Sequence, residues 1–445
     1  MSSSAPSVQG SHPPPWLFGI TNIPFGVAGG YTSVAVPFVL ARAGVPMATV
    51  GGISAAMLMP LSWQFLWAPV LDVGLRRRTW LLIFAALGAL LLAVSLALRL
   101  PSQLGAFEVC CVLGQGLTGL VSACNGALVA TQVPHALHGR ASGWLNAANL
   151  GGNAVGGGIV IGVLDAWSPQ AAAVALGLLT FLPAVAVLKL VEDVRPRRHP
   201  REVFSSMLRD VWNTASVRRG WTGILFCLAP VSTPALLDLF SAVGEDYGAP
   251  ASTVEFSMGY GSGLLTAAGA LLGGRLLDHL DKRRAYLLSG VAIAVVDVAM
   301  ACAPRNEFTY VAGTMAYSLV AGLCFAAFTA VVLEIIGKVD RSAATQYTLF
   351  DAAGNLATSY LAWMDGHGYD LFKQHQWPGP AGLLLTDAGM NLAGVVGLLV
   401  MMWLVFGRRR EAVPPLPTTV GRGPGGGARP LIRRSCRGFR SRIDQ

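Results

Sequence analysis

The chain has 445 residues, of which 53% are hydrophobic and only 12% charged, with a formal net charge of +9. A soluble globular protein carries roughly 25% charged residues, so this composition excludes a water-soluble fold. The positive excess would suit nucleic acid, but Lys and Arg cluster between apolar stretches, and membrane topology accounts for them instead.

Twelve stretches are long enough to cross a bilayer, which takes about 20 mostly apolar residues. In chain order they cover residues 17–41, 48–71, 78–98, 105–131, 141–164, 171–190, 220–245, 254–277, 285–303, 308–336, 343–364 and 386–406, and are called spans 1 to 12. They are apolar nearly all round and carry Gly and Pro inside, as helices in lipid allow. Of the 32 Lys and Arg, all but Arg42, Arg99, Arg305 and Lys373 fall on the side that holds both termini. Cytoplasmic loops carry the positive excess, so both termini are expected in the cytoplasm. The predominance of Arg over Lys suits a GC-rich bacterial source, and hence a multi-pass protein of the bacterial inner membrane.

Residues 1–16 hold prolines but no Lys or Arg, so they lack the charged start of a signal peptide and read as a disordered lead. Between spans 2 and 3 stands Val70-Leu71-Asp72, three spacers, Arg76-Arg77-Arg78, one spacer, and Trp80-Leu81-Leu82. Between spans 8 and 9 the pattern recurs as Leu276-Leu277-Asp278, three spacers, Lys282-Arg283-Arg284, one spacer, and Tyr286-Leu287-Leu288. Asp72 and Asp278 are 206 residues apart, and at nearly that offset Asn146-Ala147-Ala148 in span 5 answers Asp351-Ala352-Ala353 in span 11. The repeat predicts two related six-helix bundles, 17–190 and 220–406, a plan used to move solutes across membranes.

An acid near a helix C-terminus is unfavourable against the macrodipole and needs a partner. Asp72 with Arg76 and Arg77, and Asp278 with Lys282 and Arg283, are therefore expected to form a gating latch. Glu334, at the same end of span 10, joins it. Midway, residues 191–219 are Arg-rich. There Val203, Phe204, Met207, Leu208, Val211 and Trp212 recur at helical spacing, which predicts an amphipathic linker helix on the membrane surface. Residues 407–445 are rich in Pro, Gly and Arg without periodicity. They read as a disordered basic tail resting on anionic lipid.

An ionisable residue inside a span costs about 3 kcal/mol on insertion scales, so it marks a cavity or a partner. Asp238, Asp297, Glu334 and Asp351 are of this kind, and Asp297, in span 9, reads as structural. Asp351, Asn355 and Thr358 share one face of span 11, and Asn146, Asn149 and Asn153 share one face of span 5. The two stripes predict opposite walls of a cavity, although the same pattern also serves hydrogen bonding between packed helices. Candidate substrate contacts are Asn22, Tyr31, Gln64, Asn125 and Asn146, together with Asn149, Asp238, Tyr260, Asp351 and Asn355. A carboxyl group in a low dielectric can carry a proton near neutral pH, which makes Asp238 and Asp351 the proton candidates.

No phosphate loop, His-Glu-x-x-His or Gly-x-Ser-x-Gly pattern occurs. The seven cysteines show neither ligand nor disulfide spacing. No enzymatic activity, cofactor or metal is expected.

The run Gly274-Arg275-Leu276-Leu277-Asp278-His279-Leu280-Asp281-Lys282-Arg283-Arg284 resembles the loop motif of the major facilitator superfamily. That motif is Gly, three residues, Asp-Arg-x-Gly, then basic residues. The first copy departs from it with Ala68 for Gly and Val73 for Arg. Span count, central loop and repeat extend the resemblance over residues 17–406. It implies an all-α membrane protein with 12 transmembrane helices in two pseudo-symmetric six-helix bundles, acting as a monomeric secondary active transporter. Phe65-Leu66-Trp67-Ala68-Pro69-Val70-Leu71-Asp72 and Ala344-Thr345-Gln346-Tyr347 are similar to the branch holding muropeptide permeases, acetyl-CoA transporters and siderophore importers. Muropeptide permeases carry acids in span 4 and a Lys before Phe-Leu-Trp, where this chain has Asn125 and Gln64. The resemblance implies proton symport of a small solute into the cell. An efflux carrier and a non-transporting receptor on the same fold are the alternatives. Efflux carriers usually place an Arg before Gln-Gly in span 4, and here Val112 holds that position ahead of Gln115-Gly116.

Overall fold

The computed structural model describes residues 13–67, 71, 75–134, 137–190, 204–205, 208–209, 211–212, 216–277, 280–336 and 343–406. Every regular element among them is a helix. Eight helices are long and apolar enough to cross a membrane: Pro15–Arg42, Arg77–Ala97, Leu104–Gln132, Trp144–Ala166, Pro169–Lys189, Lys282–Cys302, Glu307–Val332 and Gly379–Trp403. They are spans 1, 3, 4, 5, 6, 9, 10 and 12.

Two of these are not α-helical throughout: span 1 carries a widened π segment, Tyr31–Ala35, and span 6 ends in the tighter helix Leu182–Lys189. The other four spans depart further. Span 2 is Met47–Ser62 followed, after Trp63, by the short turn Gln64–Trp67. Span 7 starts as Arg218–Leu228 and breaks over a stretch holding Pro230 and Pro234. It resumes as the tight turns Ala235–Asp238 and Phe240–Tyr247. Proline lacks the amide a helix needs and clashes with the preceding turn, which accounts for the break. Ser232, inside it, adopts φ 54°, the left-handed region. Span 8 runs from Ala251–Val254 through a widened π segment, Glu255–Gly261, into Ser262–Leu277. Span 11 is continuous over Ala343–Gln374 but carries Asp351, Asp365 and Asp370.

Irregular or charged backbone is tolerated at membrane depth only where protein or a water-filled cavity covers it. These four spans are placed accordingly. Span 2 packs along span 11, and span 8 along span 5, so two seams join spans 1–6 to spans 7–12. Within the first set, span 1 lies on span 5, and span 3 on spans 4 and 6. Within the second, span 10 packs on spans 8 and 9.

Two expected boundaries change. Span 11 runs on past 364 to Gln374, and span 12 starts at Gly379 rather than 386. Asp365, His367 and Asp370 break the apolar run and read as loop, yet all three are helical. Here packing overrides composition: Asp365 is fully buried, and the His367 ring lies 4.2 Å from that of Trp363.

Of the linker, residues 204–205, 208–209, 211–212 and 216–219 are described. The first three fragments are helical, with Phe204, Leu208 and Trp212 exposed. The lead 1–12, the tail 407–445, Asp72 and Asp278 lie outside the described residues. By internal contacts the chain divides into a body, 1–399, and a second unit, 400–445, of which 400–406 are described and helical.

Candidate functional site

A cavity of about 240 Å³ lies inside the body, walled by spans 1, 2, 4, 5, 7, 8 and 10. The bottom of its chemistry is neutral and polar. Thr32 of span 1 donates to the Ala28 carbonyl at 3.0 Å and to Gln115 Oε1 of span 4 at 3.4 Å. Thr266 of span 8 donates to the Ser318 carbonyl at 3.1 Å. Asn149 and Asn153 of span 5 and Ser54 of span 2 complete the polar wall, and the buried Ser54 hydroxyl has no protein partner. Asp238 is the single ionisable side chain among the described lining residues. It ends the tight turn that follows the span 7 break, so the break is what carries this acid to the cavity wall.

The two seams close on one side of this cavity. We call the side where span 1 begins the near face, and the opposite one the far face. Towards the far face, Gly51 of span 2 abuts the Ala362 backbone, and Gly366 of span 11 abuts Met47 and Ala48. Gly259 lies against Gly158, and the Glu255 carboxylate against Gly162. The amides of Met47 and Ala48 donate to Asp370 Oδ1 and Oδ2 at 3.2 and 2.8 Å. First-turn amides have no acceptor within their own helix. A span 11 carboxylate thus caps span 2 across the seam, with favourable dipole interaction as well. Arg42 of span 1 reaches Asp165 at 3.1 Å and Glu245 at 3.8 Å. Towards the near face the picture reverses: Asn146, Ala147, Leu150 and Asp351 are exposed. The seams close the far side of the cavity.

Of the residues proposed from sequence as substrate contacts, Asp238 and Asn149 line the cavity. Asn22 and Asn125 do not; they are buried in a network between helices. Thr21 donates to Asn125 Oδ1 at 2.7 Å, Asn125 to Asn22 Oδ1 at 3.4 Å, and Asn22 to the Leu145 carbonyl at 3.3 Å. Tyr31 is fully buried with its hydroxyl 2.6 Å from Ser95 Oγ, also away from the cavity. Gln64 donates to the Gly119 carbonyl at 2.8 Å, and Tyr260 to Glu255 at 3.3 Å. Each of these side chains has a partner elsewhere, and none of them is among the lining residues. Asn146, Asp351 and Asn355 lie nearer the near face and outside the lining. Ser54 and Gln115 were missed as wall residues. A lone Ser or Gln in an apolar run carries no charge to single it out.

Among the gating residues, Arg283 Nε pairs with Glu334 at 3.3 Å, tying spans 9 and 10. Arg77 donates to the Ala127 carbonyl at 2.9 Å. Arg76 and Lys282 are exposed. Asp72 and Asp278 are outside the described residues, so the latch is represented by its basic residues and Glu334.

Residues 18–360 match the family model described as Major Facilitator Superfamily. Among solved structures, the chain is similar to the nucleoside transporter NupG, with 11% identity and a TM-score of 0.66 over 87% of this chain and 98% of that one. It is also similar to the D-xylose-proton symporter, with 12% identity and a TM-score of 0.64 over 87% and 96%. At these identities the likeness concerns the fold. No curated protein matches the chain by sequence.

Proposed function

We propose that this chain, which belongs to the Major Facilitator Superfamily and is a membrane transporter, imports a small neutral or cationic polar solute together with protons. The observation that carries this reading is Asp238 at the wall of an otherwise neutral, amide- and hydroxyl-lined cavity. An acid there repels anionic solutes and attracts cations, protons included. Asn149, Asn153, Gln115 and Ser54 suit a solute that presents hydroxyl or amide groups.

Size narrows the class. The cavity, about 240 Å³, equals roughly eight water volumes of about 30 Å³ each. It lies below the usual range of about 300–1,000 Å³ for drug-sized ligands. A monosaccharide- or nucleoside-sized solute fits it better than a muropeptide or a siderophore. The nucleoside and xylose-proton neighbours support the smaller class.

In this reading the near face is cytoplasmic, in a bacterial inner membrane, as the distribution of Lys and Arg supports. The structure is then inward-facing, with the Asp370 cap and the Arg42 pairs holding the outer side shut. Asp72 with Arg76 and Arg77, Asp278 with Lys282 and Arg283, and Glu334 close the inner side in the opposite state. Asn146, Asp351 and Asn355 border the inner approach. The carrier works as a monomer.

The test is uptake into proteoliposomes under an imposed pH gradient, screening labelled pentoses, nucleosides, peptidoglycan fragments and siderophores. A neutral polar solute is expected to accumulate. Asp238→Asn is expected to abolish uphill uptake and to leave exchange at equal pH intact. Accumulation by Asp238→Asn at the normal level would remove the acid from coupling. Solute leaving the vesicles against its own gradient would favour the efflux alternative.

A further inference from the structure

The far halves of spans 9, 11 and 12 bring three carboxyl groups together inside the protein. Asp297, Asp365 and Asp387 are each 0% exposed. Asp297 and Asp387 stand within hydrogen-bond reach of one another, and Asp365 faces Asp387. Tyr317 of span 10 donates to Asp387 Oδ2 at 3.2 Å. Both oxygens of Asp297, both of Asp365 and Oδ1 of Asp387 have no other donor. Among the described residues, the further titratable groups facing the three acids are Tyr317 and Cys324, both on span 10. Among the described residues, no Lys, Arg or His is paired with them.

Three uncompensated anions here would each cost several kcal/mol of desolvation. Two carboxyl groups at hydrogen-bond range hold together only when an acid O–H of one is given to the other. A single bound cation would leave the charge unbalanced, and among the described residues no acidic group has the arrangement of a metal site. The ligand that satisfies the orphaned oxygens is the proton. The cluster is also wired to the cavity wall. The Tyr317 hydroxyl accepts from the Leu236 amide at 3.3 Å. Asn391, one turn beyond Asp387, accepts from the Thr233 amide at 3.3 Å. Both amides belong to the broken stretch of span 7 that ends at Asp238.

We propose that Asp297, Asp365 and Asp387 form a proton-binding site, occluded in this state, whose occupancy is transmitted to the span 7 break through Tyr317 and Asn391. Its role in transport rests on the proton-coupled reading above; its capacity to bind protons does not.

The test uses the full chain in lipid nanodiscs, with protons as the probe. Infrared difference spectra between acid and alkaline buffer read the carbonyl band of protonated carboxyl groups, and transfer to heavy water reads exchange. The wild type is expected to show a band that responds to pH and shifts on deuteration. Part of it should be lost in Asp365→Asn and in Asp297→Asn, and retained in Asp365→Glu, which also guards against a variant that fails to fold. Spectra of the Asn variants that superimpose on the wild type would overturn the site. So would a band indifferent to both pH and deuteration, since its proton would be a fixed structural one. In the proteoliposome assay, Asp365→Asn is expected to lose pH-driven accumulation while keeping exchange. If the wild type accumulates nothing under a pH gradient but the titrating band is present, the coupled reading fails and the proton site stands.

Discussion

Spans 1–6 and spans 7–12 bury polar groups by different rules. In the first set the buried groups are neutral, and most find a partner: Thr21, Asn125 and Asn22 form a chain that ends on a span 5 carbonyl, and Tyr31 meets Ser95, while the Ser54 and Thr180 hydroxyls have none. In the second set the buried groups include three acids with few partners, packed near a helix broken at Ser232. Satisfied networks rigidify, while unsatisfied ones are kept where a ligand or a change of state will satisfy them. Under the proposed function, the titrating acids then belong to spans 7–12, while spans 1–6 supply the neutral polar groups of the cavity wall.

Close packing is the one thing the two sets share, and it supplies the largest expected effects. Gly30 abuts the Asn153 backbone and Gly156 that of Val27, so spans 1 and 5 touch main chain to main chain. In the other set the same is true of Gly269 with Leu319 and Gly322 with Thr266, between spans 8 and 10. Small residues are what permit such approach in membranes. Gly30→Ala and Gly269→Ala each place a methyl where only backbone could yield, at a cost of about 1–3 kcal/mol or more. Both should lower the melting temperature in detergent well below that of Gly126→Ala, whose added methyl meets nothing. A mild effect at Gly269 beside a severe one at Gly30 would mean that the second set can repack.

The next effect separates the two polar rules directly. Asn125→Ala removes the acceptor of Thr21 and the donor to Asn22. Interhelical hydrogen bonds in membranes average about 0.6 kcal/mol and reach about 1.7, so a modest fall in melting temperature is expected. Asp365→Asn strands no partner, because its oxygens have none. Its melting temperature should stay level or rise. Equal losses in the two variants would dissolve the contrast between the sets.

A smaller effect belongs to the seam that joins them. Asp370→Ala uncaps two first-turn amides of span 2, worth about 1 kcal/mol for a lost helix cap. That corresponds to a shift of about fivefold in favour of the state with its far side open. A thiol placed by Gly52→Cys sits beside the seam, facing Trp363 at 3.8 Å. It should react several-fold faster with a membrane-impermeant maleimide when Asp370 is removed. An unchanged rate would show that glycine packing alone keeps the far face shut.

Much of the fold was legible because membrane helices announce themselves as apolar runs, and the reading failed where charge interrupted one. Asp365, His367 and Asp370 looked like loop. What buries Asp365 is the packing of helices distant in sequence, which no single stretch of chain records. The cavity was legible in part for the same reason. Asp238 and Asn149 stand out as polar groups in apolar surroundings. Asn22 and Asn125 stand out equally, but a helix neighbour takes up their hydrogen bonds. Whether a polar side chain meets a partner or a cavity depends on the rotation of its helix, and Ser54 and Gln115 show that wall residues need not look unusual at all.

The smallest expected effect tests where the moving charge ends. Asp351 and Asp238 are both acids in apolar runs of the second set, and by sequence Asp351, on a polar stripe with Asn355 and Thr358, is the stronger cavity candidate. The structure separates them: Asp238 lines the cavity, while Asp351 is exposed towards the near face and lies outside the lining. Asp351 borders the approach rather than the cavity, and its partner is the neighbouring Asn355; neutralising an exposed group outside the site changes energies by about 0.5 kcal/mol or less, close to a factor of two. Asp351→Asn should therefore take up solute within about twofold of the wild type, in the same vesicles where Asp238→Asn accumulates none. A complete loss in Asp351→Asn would extend the working site along span 11 to the near face. The near-face end of the span 5 stripe, at Asn146, would then be part of the opposite wall of a longer path.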